Sequence, residues 1–417
     1  MSAGRWRGWQ LARAAPTLER IVLDTGIALA PLSWPEGGLP RPRRSSPLRD
    51  LVVLGFRIMW VTAIVGFVVA ARRLFPIRAL WDTGLHDLAL ESLLLVLVYV
   101  AVAVHELGHA VAARLVGFRL LAIAAGPLVV DRAGLRLAVT PTLVGGYTVP
   151  GLERWDGNRT FRRQYAWLVA AGPAASLVAG IGGGVIAIAR ATSGTAAPIQ
   201  PLTATLWFGA LISVISGLLA LLPIGRSDGA KLRHLSQSSR QAIIALQLAA
   251  YTQRPRDWDE RLLDDVRADI DHDDRDAIDG RLLLSYYYLD AGDPSRGRET
   301  LQQAIDAACA MARVKRGQTR LNRDIGIRLA MEAALFEAAW RGDFKAAGEW
   351  LARTQPTRAY ARVCSRFRSA FAAAAEGHGD PSAPVREHAT LLALAGLPAF
   401  QIIQAATIDR LARYAVR

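Results

Sequence analysis

The sequence predicts a mainly α-helical protein in two parts: a polytopic membrane core of about four spans with a small β-hairpin or sheet insert, then a soluble α-helical repeat domain. Three observations predict it. Hydrophobic residues make up 52% of the 417, and they concentrate between about 51 and 224, whereas 235–417 has the charge density of a soluble protein. The apolar region holds stretches approaching the roughly 20 residues needed to cross hydrocarbon. The C-terminal half returns to a helical period with ordinary polarity, interrupted by Gly-Asp pairs. The expected boundaries are 1–50 for a basic irregular tail, 51–235 for the membrane core and 236–417 for the helical repeats.

The tail is rich in Arg, Trp and Pro and ends in PRPRRSSPLRD, a composition suited to lying near anionic headgroups. The net charge of +14 fits a basic cytoplasmic face, and no aromatic-plus-basic pattern points to nucleic acid as a partner. No cleavable signal peptide is expected in the first thirty residues, which carry scattered charges and no apolar h-region. Cys309 and Cys364 make neither a disulfide framework nor a zinc ribbon and are expected as reduced, buried thiols.

The first span runs from about Leu51 to Ala71, with Arg57 near enough to its start to snorkel. The second lies within Leu88–Gly117, where Leu93–Val104 is apolar without interruption and leads into His105, Glu106 and His109. This is H-E-x-x-H, and on a helix its histidines sit one above the other on the same face. Two imidazoles so placed can share one Zn²⁺, and Glu106 beside them can take a proton from a zinc-activated water. Chance gives such a pattern on the order of once per hundred comparable chains, but ionisable groups at the centre of a span cost about 2.5–3.5 kcal/mol each and therefore usually line a polar site.

Residues 118–151 alternate short apolar runs with glycines and predict β-strands, with a hairpin near Asp131–Gly134. The strand containing Gly145, Gly146 and Tyr147 is either a surface ribbon or an edge dipping toward the active site, able to hold an extended peptide. The third span is Tyr165–Ile188 and the fourth Leu202–Leu222. Arginines in the tail, in the loop after the second span and after the fourth put those segments, and both termini, in the cytoplasm; Arg72, Arg73 and Arg78 run against the rule. Asp228 follows Pro223 at the cytoplasmic end of the fourth span, beside Gly229. Read alone, it is more plainly a helix-stop turn with a surface aspartate than a third ligand.

From about Ser236 three helices end in Gly-Asp and restart, at 292–293, 342–343 and 379–380. LLLSYYYLDAGDPSRGRETLQQAI resembles a tetratricopeptide-like helix pair, although Gly-Asp spacings of 50 and 37 make any repeat degenerate. Such a domain more often binds a partner than performs chemistry, so a cytosolic protein is the expected partner there. DHDDRD, 271–276, reads as a solvated loop.

H-E-L-G-H in one span, a Gly-Gly-Tyr strand, A-A-G-P opening a later span and L-P-x-x-x-x-D-G ending another together resemble the site-2 protease family of intramembrane zinc metalloproteases, over about residues 88–232. The resemblance implies one zinc per chain on His105, His109 and Asp228, with Glu106 as general base. It also implies cleavage of transmembrane or membrane-proximal segments of membrane-protein substrates in regulated proteolysis. The expected setting is a multi-pass protein of a bacterial cytoplasmic membrane. Ser176 and Ala220 stand where the family often has asparagine; Ser176 joins Gly145, Gly146 and Tyr147 as the expected substrate-binding set. The alternative is a catalytically silent, protease-like scaffold whose helical repeats recruit a cytosolic partner.

Overall fold

The computed structural model describes residues 29–36, 38–40, 85–131, 134–137, 145–192, 201–223, 227–237, 241–270, 275–313, 325–356, 360–386 and 406–413. The chain divides into two compact units, Arg44–Gln241 on one side of the division and Met1–Arg43 with Ala242–Arg417 on the other.

In the first unit, α1 (Leu85–Leu115) is the helix that the apolar run predicts, since no Pro or Gly interrupts it before Gly108. It ends at Gly117, whose φ of 89° lets the Phe118 N–H turn back to the Ala113 carbonyl at 2.8 Å. Strands β1 (Arg119–Ala125), β2 (Leu128–Asp131), β3 (Gly134–Leu137) and β4 (Gly146–Gly151) follow. They form one antiparallel sheet in the order β3-β2-β1-β4, packed on α1, with Asp131 opposite Gly134 in the expected hairpin. Among the described residues β4 pairs only with β1, so its other side is an edge.

Helices α2 (Asn158–Thr192) and α3 (Pro201–Leu221) complete the bundle, and α4 (Asp228–Gln237) turns back onto it. Small residues let the backbones approach: a Cβ on Gly108 would stand 2.5 Å from the Ala171 carbonyl oxygen of α2. Large apolar side chains point outward from all three long helices, among them Val96, Val111, Val178, Ile181 and Leu218. Such surfaces are poorly suited to water and well suited to lipid. Among the described residues two stretches are long and apolar enough to cross a membrane, Leu95–Leu115 and Asn158–Arg190, and Thr205–Leu221 is a shorter apolar helix. Of the four expected spans, then, two are such helices and one is the shorter helix. The remaining span, Leu51–Ala71, lies outside the described residues.

The other unit is helical: α5 (Gln241–Ala249), α6 (Glu260–Asp269), α7 (Arg275–Ala291), α8 (Pro294–Arg313), α9 (Ile325–Arg341), α10 (Phe344–Ala352) and α11 (Ala361–Ala375). The Gly-Asp pairs act as the sequence predicts at α7–α8 and α9–α10. Gly292 and Gly342 have positive φ, and the Asp293 and Asp343 carboxylates accept from the Arg296 and Ala346 N–H groups at 3.0 and 2.8 Å. Both cysteines are free and buried. Residues 271–274 of the acidic run lie outside the described residues. The tail differs from the expectation of a segment held at headgroups: its described part, within 29–40, lies without regular secondary structure on this helical unit.

Candidate metal centre

Because α1 is continuous through H-E-L-G-H, His105 and His109 project from one face a turn apart, and their Nε2 atoms lie 3.2 Å from each other. Asp228 arrives from α4. Ser227 caps that helix, its hydroxyl oxygen accepting from the Ala230 N–H at 3.1 Å, so Asp228 opens the first turn. A side chain at Gly229 would place its Cβ 1.9 Å from the Leu221 carbonyl oxygen, so only glycine lets α4 start against the end of α3. The Asp228 Oδ2 then lies 3.0 Å from His105 Nε2 and 3.1 Å from His109 Nε2.

These three atoms form a near-equilateral triangle. Donors about 2.0–2.1 Å from a tetrahedral Zn²⁺ are separated by about 3.3 Å, so the triangle has the size such an ion requires. The surroundings fix which lone pairs face inward. His109 Nδ1 donates to the Leu168 main-chain carbonyl at 2.8 Å, which can only accept. The Nε2 of a neutral His109 therefore presents a lone pair to the Asp228 carboxylate. A lone pair and a carboxylate oxygen that face each other can share a cation, and an imidazole oriented by a main-chain carbonyl behind it is how proteins prepare a metal ligand. His105 Nδ1 lies 3.1 Å from the Ser176 hydroxyl, which is wholly buried. His105, His109 and Asp228 fit zinc.

The outer carboxylate oxygen of Asp228 accepts from Lys231 Nζ at 2.9 Å, which leaves Oδ2 for the histidines. Burial pushes the Asp228 carboxyl up, but the two imidazoles and Lys231 outweigh burial and hold it well below the usual carboxylate range. Asp228 is therefore an anion at neutral pH.

Glu106, next to His105 on α1, is nearly buried at 7% exposure. Thr148 of β4 holds it, with its hydroxyl 2.8 Å from Oε2 and 3.0 Å from the Glu106 main-chain oxygen. A Cβ on Gly146 would stand 2.6 Å from Glu106 Cγ, so a larger residue would push β4 away from the carboxylate. Gly172 of α2 does the same for His109: its Cβ would fall 2.2 Å from Nε2.

The structure thus draws His105, Glu106, His109, Asp228, Ser176 and Gly146 into one locality. Ser176 stands behind His105 rather than in front of it, as a partner of the ring. Gly145 and Tyr147 are placed otherwise. The Gly145 carbonyl accepts the Gly126 N–H at 2.8 Å, and Tyr147, on the opposite face of β4 from Thr148, is exposed. Sequence reasoning did not single out Thr148, Lys231 or the Leu168 carbonyl, and it met Gly172 only as the glycine of A-A-G-P. Of the first three, only Lys231 left a readable signal, its i+3 spacing from Asp228 on a helix.

Residues 93–182 match the family model described as Peptidase family M50, the site-2 protease family that the motifs resemble. Neither the curated proteins nor the solved structures gave a match. The family match carries metallopeptidase chemistry, and with the two long apolar helices it carries a membrane setting.

Proposed function

From the match to peptidase family M50, we propose that this chain is an intramembrane zinc metalloendopeptidase that cleaves transmembrane or membrane-proximal segments of other membrane proteins. The observation that carries the reading is the triangle of His105, His109 and Asp228 beside a carboxylate held by Thr148. His105, His109 and Asp228 would hold the metal. When bound, zinc supplies Lewis acidity, polarising a carbonyl and making water acidic enough to ionise near neutral pH.

The chain's own groups do the rest. Thr148 fixes Glu106 Oε2, leaving Oε1 to take the proton of the attacking water. Oxygen bonds to the scissile carbonyl carbon, the carbon–nitrogen bond breaks, and Glu106 passes its proton to the departing amine. One water is consumed, giving one new carboxylate and one amine. A substrate helix keeps its carbonyls hydrogen-bonded, so it must unwind before attack. The edge of β4 suits an unwound segment, since an extended peptide can add there by main-chain hydrogen bonds next to Thr148. Ser176 and Leu168 orient the two imidazoles, and Lys231 orients Asp228.

The test compares membrane proteomes from cells carrying the wild-type chain and Glu106→Gln. Intact substrates should accumulate in the mutant, with the matching truncated fragments lost. Indistinguishable proteomes under conditions where the chain is expressed would favour the silent scaffold.

A further inference from the structure

The described residues within 29–40 do more than cover the helical unit: they lie along it without regular secondary structure, turning at Pro35–Gly38, between two helix stripes. On α8 the contacting residues are Arg298, Gln302, Cys309 and Arg313, whose spacings of four, seven and four bring all of them to one face. Arg298 donates to the carbonyls of Ala30 and Pro31, and Arg313 to that of Glu36 at 2.7 Å. On α9 the order is reversed. Arg341 donates to the Leu29 carbonyl at 3.0 Å, Glu337 accepts the Leu32 N–H at 2.6 Å, and the Pro40 carbonyl abuts Gly326. The segment therefore runs parallel to α8 and antiparallel to α9. The rise agrees as well: six extended residues from Ala30 to Glu36 cover roughly 20 Å, and the fifteen helical residues from Arg298 to Arg313 cover roughly 22 Å.

The mode of contact is that of peptide recognition. Gln302 pairs both main-chain groups of Ser33, accepting its N–H at 2.8 Å and donating to its carbonyl at 3.1 Å, as a neighbouring strand would. Main-chain contacts tolerate many sequences, and side-chain selectivity comes from three positions. Leu32 and Pro35 are buried, and Trp34 lies 4.8 Å from the Trp350 ring with the Arg353 guanidinium over it at 5.5 Å. Charge agrees too. Arg341 and Arg353 are paired with Glu337, Asp343 and Glu349, but Arg298 and Arg313 add positive charge along α8, while LAPLSWPEGGLP carries one glutamate and no cation.

We propose that this groove between α8 and α9 is a docking site for an extended segment of a partner protein, uncharged or acidic and bearing a Leu-x-Trp-Pro pattern, and that residues 29–40 are its resident competitor held in cis. A tethered occupant excludes a free peptide through its high effective concentration, so the groove opens to a partner only when the tail is displaced. The proposal stands apart from the metal centre and does not depend on it.

The probe is a fluorescein-labelled LAPLSWPEGGLP peptide, titrated against the full-length chain in detergent. Wild type should bind it weakly. Leu32→Ser/Trp34→Ala, which loosens the cis segment, should bind it at least about tenfold more tightly, and adding Arg298→Ala with Gln302→Ala should remove that gain. No gain in a folded loosened variant, or a gain indifferent to the groove substitutions, overturns the proposal. A second measurement uses wild type alone. Cys309 donates to the Gly38 carbonyl at 3.6 Å, and Cys364 is equally buried away from the segment's contacts. If the segment exchanges, maleimide should label Cys309 at least about tenfold faster than Cys364, and excess unlabelled peptide should slow it. Equal, slow labelling of both would make the segment a fixed strap.

Discussion

At His109 the position of one proton is set by a carbonyl from another helix: Leu168 takes the Nδ1 hydrogen, so Nε2 is left to face Asp228. The H-E-x-x-H spacing was legible in the sequence because helical geometry alone brings His105 and His109 together. What the spacing cannot convey is the shell behind them. Thr148 and Leu168 are distant in sequence from what they touch, and nothing local marks them; A-A-G-P marks Gly172 but not its contact with His109. Asp228 is an intermediate case: its motif was readable, but taken alone a helix-stop turn explained it better, and it is α4 that places its carboxylate against both rings. These contacts make predictions at single residues. Glu106→Gln should keep zinc while proteolysis falls by roughly 10²–10⁴-fold, the usual worth of a general base; turnover at the wild-type rate would remove Glu106 from that role. Thr148→Val should keep zinc as well, because Thr148 touches Glu106 and no ligand, and should lower kcat more than it raises KM. Gly172→Ala should act on the metal instead, since its methyl would occupy the place of the His109 ring. Zinc affinity should fall at least about tenfold, and an unchanged affinity by competition with a chelator would show that α2 yields.

At the scale of elements, helices read well and their close approaches read poorly. The apolar run made α1 predictable, and the Gly-Asp pairs predicted where α7 gives way to α8 and α9 to α10, since glycine ends one helix and aspartate caps the next. The sheet was legible as an insert with a hairpin at Asp131–Gly134, but not that β4 would return to pair with β1 and carry Thr148 to Glu106. Pairing of β1 with β4 joins strands separated by the β2–β3 hairpin, and no local pattern specifies it. The contact of α1 with α2 depends on the absence of a side chain at Gly108. Gly108→Val should therefore force the helices apart and destabilise the bundle by about 1–3 kcal/mol, visible as a lower melting temperature in detergent. An unchanged melting temperature would mean that the helices have room to part.

For the whole molecule, sidedness follows from the segment on the helical unit. The described residues within 29–40 pack on α8 and α9, so if the chain between them crosses a membrane it must do so an even number of times. Among the described residues two stretches in that interval, Leu95–Leu115 and Asn158–Arg190, are long and apolar enough to cross, and Thr205–Leu221 is a shorter apolar helix. Tags at the two termini should accordingly show the same protease protection in sealed vesicles. Opposite protection would contradict the even count. Composition placed the boundary between apolar and soluble parts, because lipid and water select different residues. It gave the tail as irregular, which its described part is, but not its packing on α8 and α9, because a segment held mainly through its backbone has almost no sequence signature.

The most direct test of the metal centre is the zinc content per chain of purified Asp228→Ala, set beside wild type and Glu106→Gln after dialysis against a weak chelator. The triangle of His105, His109 and Asp228 predicts about one zinc in wild type and in Glu106→Gln and a large loss in Asp228→Ala. Wild-type zinc in Asp228→Ala would contradict it.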